Sequence, residues 1–68
     1  MTFGEKLRKL RLEKEMTISQ VANLIGINPR AYNYYEQGLR EPSLLTFKLI
    51  CLAYDVSADY LLGIVDFY

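Results

Sequence analysis

The sequence predicts an all-α fold, a compact arrangement of five short helices, and three observations carry that prediction. Apolar residues recur at three- and four-residue spacing in successive stretches. A residue with capping chemistry stands just before each stretch, and glycine closes three of them. No segment alternates apolar and polar residues as a half-buried strand does, and no internal repeat is present.

In TFGEKLRKLRLEKE, Phe3, Leu7 and Leu10 fall at helical spacing and Thr2 with Glu5 fits a capping box, so the first helix is predicted near 3–14. Thr17 and Gln20 form a second capping box. They precede Val21, Leu24 and Ile25, an apolar stripe that ends at Gly26 and predicts a helix near 18–25. Asn28 then reads as an N-cap and Pro29 as the first helical residue, where a missing amide hydrogen is harmless and the fixed φ helps. This third helix runs to about Gln37, and Gly38 ends it.

After the loop LREP, Ser43 caps LLTFKLICLAY, apolar nearly all round as expected of a helix buried on most faces. Ser57 caps ADYLL, with Asp59 in the first turn and Gly63 at the end. The tail IVDFY, 64–68, is apolar and has no evident place in a monomer's core.

A chain of 68 residues reads as one domain, 1–68, able to bury only about 60% of its unfolded surface. With 51% hydrophobic and 24% charged residues it has the composition of a folded soluble protein. One cysteine, Cys51, and no histidine exclude an intrachain disulfide and leave no set of zinc ligands, so no metal and no cofactor are expected. Cys51 itself, inside LICLA, reads as a small buried hydrophobe. No apolar run approaches the roughly 20 residues that span a bilayer, and the N-terminal stretch is too charged for a signal peptide. The expectation is a cytoplasmic protein without a membrane partner.

A formal net charge of zero conceals a gradient. Up to Pro42 seven basic residues face five acidic ones, whereas from Ser43 onward Lys48 faces Asp55, Asp59 and Asp66. A pI near 6.1 is weak support for a nucleic-acid partner, since nonspecific affinity comes mainly from cations that displace counterions. Lys6, Lys9 and Lys14, on the polar side of the first helix, read as a solvated face.

Only GIN separates the second and third helices, and so short a connection predicts a steep crossing of roughly 90–120°. This is a helix-turn-helix over about 17–37. Val21, Ile25, Ile27, Tyr32 and Tyr35 supply its inner face, with small Ala22 where the helices come closest.

LRKLR at 7–11, VANLIG at 21–26, YYEQG at 34–38, REPS at 40–43 and DVSADYLLG at 55–63 extend in order, without insertions, over nearly the whole chain. On these residues the sequence resembles the XRE family, the small Cro- and lambda-repressor-like helix-turn-helix regulators. The resemblance implies a lambda-repressor-like five-helix domain whose third helix lies in the major groove of double-stranded DNA, usually as a homodimer on a roughly palindromic operator. It also implies a partly buried ion pair between Arg11 and Glu36, a structural role in place of DNA contact or acid catalysis. Tyr54 and Tyr60 match core positions.

The outer side of the third helix then carries Asn28, Pro29, Arg30, Asn33, Tyr34 and Gln37. Arg30, near the end that enters the groove in this family, is the first choice for base readout, since its planar fork can bond guanine O6 and N7; the resemblance sets this above the bland alternative of a solvated surface charge. Asn33 suits adenine or a phosphate; Tyr34 suits a thymine methyl or a phosphate. Phosphate contacts are expected from Thr17, from Ser19 or Gln20, from Gln37 and from Arg40, near helix N-termini that hold anions well. The family's usual glutamine directly after the second helix's cap is Ile18 in this chain.

The function expected is a sequence-specific DNA-binding transcriptional regulator, a repressor occupying its operator without a cofactor. The alternative is a protein-binding module such as an antitoxin or an adaptor, favoured by neutral charge and Ile18 and opposed by the open polar face of the third helix. An enzyme is not expected: no histidine, activated nucleophile or carboxylate cluster is found. Ile64, Val65, Phe67 and Tyr68, with the fifth helix, form the expected dimer seam. The competing reading is that the tail marks the point where a longer protein was cut.

Overall fold

The computed structural model describes all 68 residues, Met1–Tyr68, and contains five α-helices: α1 (Phe3–Glu13), α2 (Ile18–Ile25), α3 (Pro29–Gln37), α4 (Leu44–Tyr54) and α5 (Ala58–Leu62). Their starts follow from local chemistry. Both capping boxes close reciprocally: Glu5 N–H donates to Thr2 Oγ1 (3.1 Å) while Thr2 N–H donates to Glu5 Oε1 (2.7 Å), and Gln20 and Thr17 repeat the exchange at 3.1 and 2.8 Å. Ser43 and Ser57 accept from the N–H groups of Thr46 and Tyr60 in the same way.

The core is built from Leu7 and Leu10 of α1, Val21, Ala22 and Ile25 of α2, Tyr32 of α3, Ile50 and Tyr54 of α4, Val56 in the following turn, and Tyr60 and Leu61 of α5. α3 packs against both α1 and α2, so the third helix is held on two sides. At the α1–α3 crossing the helices approach so closely that a Cβ on Gly4 would lie 2.8 Å from the carbonyl oxygen of Tyr35 and collide with that of Glu36. Gly4 is therefore a contact residue, although the spacing of apolar side chains gives no reason to single it out.

Two expectations about helix burial require correction. Leu24 does not join the α2 stripe; it is 62% exposed, because Ile18, Val21, Ala22 and Ile25 already fill the arc that α3 and α4 cover. α4 is not buried on most faces. Ile50 and Tyr54 are buried and Phe47, Leu49, Cys51 and Ala53 lie against the core, but Leu44, Leu45 and Leu52 are exposed, since α2 and α5 cover only part of the helix. Burial pushes the Cys51 thiol up, away from the reactive thiolate.

The tail also finds a place. Val65 packs on the core, the Tyr68 ring meets Tyr60 edge-on at 4.9 Å, and the Tyr68 hydroxyl donates to Glu13 Oε1 at 2.7 Å. Two lysines of α1 join this assembly: Lys6 Nζ donates to the Tyr60 carbonyl (2.8 Å) and lies 4.8 Å from its ring centre, while Lys9 Nζ is 5.4 Å from that of Tyr68. The lysine face of α1 is thus partly occupied. Val65 and Tyr68 make contacts within the chain's own fold, although Tyr68 stays partly exposed; Ile64 and Phe67, with Leu62 of α5, are the most exposed apolar residues of the expected seam. No helix is long and apolar enough to cross a membrane.

Candidate nucleic-acid interface

The α2–α3 connection is made by backbone chemistry that the sequence GIN supplies. Gly26 adopts the left-handed conformation at φ 88°, where a side chain would be strained, and the N–H groups of Gly26 and Ile27 both donate to the Ala22 carbonyl at 2.8 and 2.9 Å. The chain reverses within three residues. Asn28 Oδ1 then accepts from Arg30 N–H at 2.8 Å, and Pro29 begins α3.

α3 is fixed from inside at three points. Tyr32 is fully buried, and its hydroxyl shares a 2.5 Å hydrogen bond with that of Tyr54, joining α3 to α4. Desolvation drives the Tyr32 phenol far up and pushes Tyr54 up to about 12, so both stay neutral. Tyr35, half-buried, meets Tyr32 edge-on with 6.5 Å between ring centres. Near the end of the helix Glu36 accepts from Arg11 Nε (2.8 Å) and Nη2 (3.1 Å), and Arg11 Nη1 donates to the Met16 carbonyl at 3.1 Å. The hydrogen bond to Glu36 raises the Arg11 pKa further, and the paired charges leave little net field at the foot of α3.

The opposite side of α3 is open. Arg30 and Gln37 are exposed, and Asn33 and Tyr34 are half-buried; none of these four side chains has a hydrogen-bond or ion-pair partner within the chain. Asn28 and Pro29 are exposed at the helix start, where the cap uses Asn28 Oδ1 and leaves its amide NH2 available. A shallow groove between the beginnings of α2 and α3 is lined by Ser19, Gln20, Asn23, Ile27 and Pro29. Thr17 and Gln20 are committed to the capping box only through Thr17 Oγ1 and Gln20 Oε1 as acceptors; the hydroxyl hydrogen and the amide NH2 remain free to donate. Gln20 therefore combines capping with an available donor.

Asn23 joins this groove although the motif pattern does not single it out. Its signal is present all the same: it stands four residues after Ser19 and three after Gln20, on the same polar side of α2. Ile18, in place of the family's usual glutamine, turns toward the core. At the far end of α3, Gln37 and Arg40 line a second hollow beside Gly38, and Arg40 lies over the Tyr34 ring. The structure thus places Ser19 and Pro29 in one groove, with Asn28 and Arg30 beside Pro29 at the start of α3, and gathers Tyr34, Gln37 and Arg40 around the other end, while Thr17 sits at the cap of α2. Ile64 and Phe67 belong to the separate region beside α5.

A helix-turn-helix sequence profile matches residues 7–61. Among curated proteins, the chain is 39% identical over 64 residues to the uncharacterized HTH-type transcriptional regulator YobD of Bacillus subtilis, covering 94% of this chain and 57% of YobD. It is 37% identical over 54 residues to the cryptic phage CTXphi transcriptional repressor RstR of Vibrio cholerae, covering 79% of this chain and 49% of RstR. The chain spans about half the length of the curated relatives it matches. Its fold matches that of the P22 c2 repressor, solved with a synthetic operator, with a TM-score of 0.87 over 90% of this chain and 92% of that one, at 23% identity. With the profile spanning α1 to α5 and the five helices superposing on a repressor of this fold, the chain belongs to the helix-turn-helix family, in its XRE, Cro/lambda-repressor-like form.

Proposed function

We propose that the chain is a sequence-specific double-stranded DNA-binding regulator of transcription, working in the cytoplasm as a repressor that occupies a palindromic operator with α3 in the major groove. The observation that carries this reading is the two-sidedness of α3. Its inner side is held by Tyr32, Tyr35 and Glu36, while Arg30, Asn33, Tyr34 and Gln37 stand outward without hydrogen-bond or ion-pair partners in the chain. A rigid helix with unsatisfied polar groups along one side is what reading base edges requires. A repressor's role is supported by the likeness to RstR. A homodimer would supply the second half-site about 34–36 Å away, and exposed Ile64 and Phe67 are the residues offered for its seam.

The test is a binding titration on mixed-sequence duplex DNA at two salt concentrations, followed by selection from randomised duplexes. Affinity should fall steeply with salt, because each phosphate contact releases a counterion, and the selected sites should contain two related half-sites. Absence of binding at low salt by folded protein would favour the protein-binding module, an antitoxin or adaptor, in its place.

A further inference from the structure

The outward position of Tyr34 on α3 suggests direct contact with a base, but its surroundings point elsewhere. Gly38 ends α3 in the left-handed conformation (φ 76°), its N–H directed to the Tyr35 carbonyl (3.3 Å) while Leu39 N–H donates to that of Tyr34 (2.9 Å). This paired closure folds the chain back over the last turn. Two residues on, the Arg40 guanidinium lies 5.3 Å from the centre of the Tyr34 ring. Arg40 makes no ion pair, even with neighbouring Glu41, and the Tyr34 hydroxyl bonds to nothing in the chain. The ring is half-buried although it stands on the outer side of its helix, whereas Arg40 remains exposed.

We propose that Tyr34 is a positioning residue: its ring holds the Arg40 guanidinium against the end of α3, with the N–H groups turned outward to a backbone phosphate, and it reads no base. A cation over an aromatic face keeps its charge and its in-plane donors, so stacking orients Arg40 without using up its phosphate-binding groups. Unstacked, a long side chain on a loop would have to be ordered on binding, and affinity would fall by the loss of that preorganisation. Arg40 then acts at the C-terminal end of α3 and Arg30 at the start, so the two cations flank the reading side of the helix. This inference rests on the DNA-binding reading and assigns Tyr34 and Arg40 their parts in it.

The experiment is a double-mutant cycle on the folded protein, with melting curves confirming that each variant folds. Binding to a mixed-sequence duplex is measured at several salt concentrations for the unsubstituted protein, Tyr34→Phe, Tyr34→Ala, Arg40→Ala and the double variant Tyr34→Ala with Arg40→Ala. Arg40→Ala should lower the slope of log affinity against log salt by about one. Tyr34→Ala should weaken binding roughly two- to fivefold, the range for an exposed cation–π contact. Tyr34→Phe should match the unsubstituted protein, and Tyr34→Ala should have no further effect once Arg40 is gone. Selection from randomised duplexes should return the same motif for Tyr34→Ala as for the unsubstituted protein. Additive losses, equal losses for Tyr34→Phe and Tyr34→Ala, or an altered motif would each overturn the positioning role while leaving the DNA-binding reading intact. If Tyr34→Ala fails to fold, Tyr34→Phe and Tyr34→Leu complete the cycle. No binding by the unsubstituted protein removes both readings together.

Discussion

Arg11 of α1 holds Glu36 of α3 through two nearly parallel hydrogen bonds, at 2.8 and 3.1 Å, with side chains only 12% and 6% exposed. The pair ties the first helix to the end of the helix proposed to read DNA. Its third donor, to the Met16 carbonyl, fixes the segment that leads into α2. Removing the arginine leaves a carboxylate in a nearly dry place without its counter-charge. Arg11→Ala should therefore cost about 3–5 kcal/mol, a large part of the roughly 3–10 kcal/mol that holds a domain of this size together. Urea unfolding checks this, and an unchanged midpoint would reduce the pair to a surface decoration. An apolar pair such as Arg11→Met with Glu36→Leu should be less damaging than Arg11→Ala alone.

Gly4 yields a prediction of opposite sign to that of an ordinary helical glycine. In an open helix, Gly→Ala stabilises by up to about 1 kcal/mol. Here the new Cβ would meet backbone, not a movable side chain, with the Tyr35 carbonyl oxygen 2.8 Å away. α1 and α3 must separate, straining the Arg11–Glu36 bonds just beyond the contact. Gly4→Ala should destabilise by about 1–3 kcal/mol. A raised melting temperature would show that the two helices do not cross this closely.

These two positions mark how far the sequence could be read. Helix ends were legible because capping is local: Thr2, Thr17, Asn28, Ser43 and Ser57 each cap the helix that follows, using atoms within three residues. The inward Tyr32 and outward Arg30 follow from helical periodicity. Gly4 was not legible, because close backbone approach depends on where another helix lies. Leu24, Leu44, Leu45 and Leu52 misled for the same reason: their hydrophobicity is local, but their cover is tertiary, and five short helices cannot enclose every apolar residue. Tyr68 and Arg40 find their aromatic contacts only after the chain has reversed at Gly63 and Gly38.

The buried Tyr32–Tyr54 pair should set an alkaline limit to stability. Tyr54 has an ordinary value of 10.0 that burial raises to about 12, and Tyr32 shifts the same way. A folded-state pKa above the unfolded one means that the unfolded chain releases its proton first. The contribution is fully present below about pH 10 and is lost as pH rises from there through 12. Melting temperature should fall steeply over that interval. Tyr32→Phe with Tyr54→Phe should flatten the fall, and an equally steep fall in the double variant would place the alkaline sensitivity elsewhere.

Ile64 and Phe67 are 67% and 73% exposed beside a tail whose other apolar members, Val65 and Tyr68, are already engaged. If they form the dimer seam, Phe67→Asp should shift sedimentation toward monomer at concentrations where the unsubstituted protein is dimeric. Stability of the monomer should hardly change, since an exposed side chain is replaced. Operator affinity should drop while half-site preference remains. Identical sedimentation of both proteins would take Phe67 out of the interface.

Arg30 is where base reading and phosphate contact part most clearly. It stands at the start of α3, exposed, with its backbone N–H fixed by Asn28 and its guanidinium free of any carboxylate. An arginine that bonds a guanine in two places contributes both affinity and discrimination, whereas one that meets only phosphate contributes affinity alike on all sequences. Arg30→Ala should weaken binding to the selected operator by about 1–3 kcal/mol and relax preference at one position in each half-site. On mixed-sequence DNA the loss should be smaller. Equal losses on both duplexes, with an unchanged selected motif, would make Arg30 a phosphate contact and move base reading to Asn33.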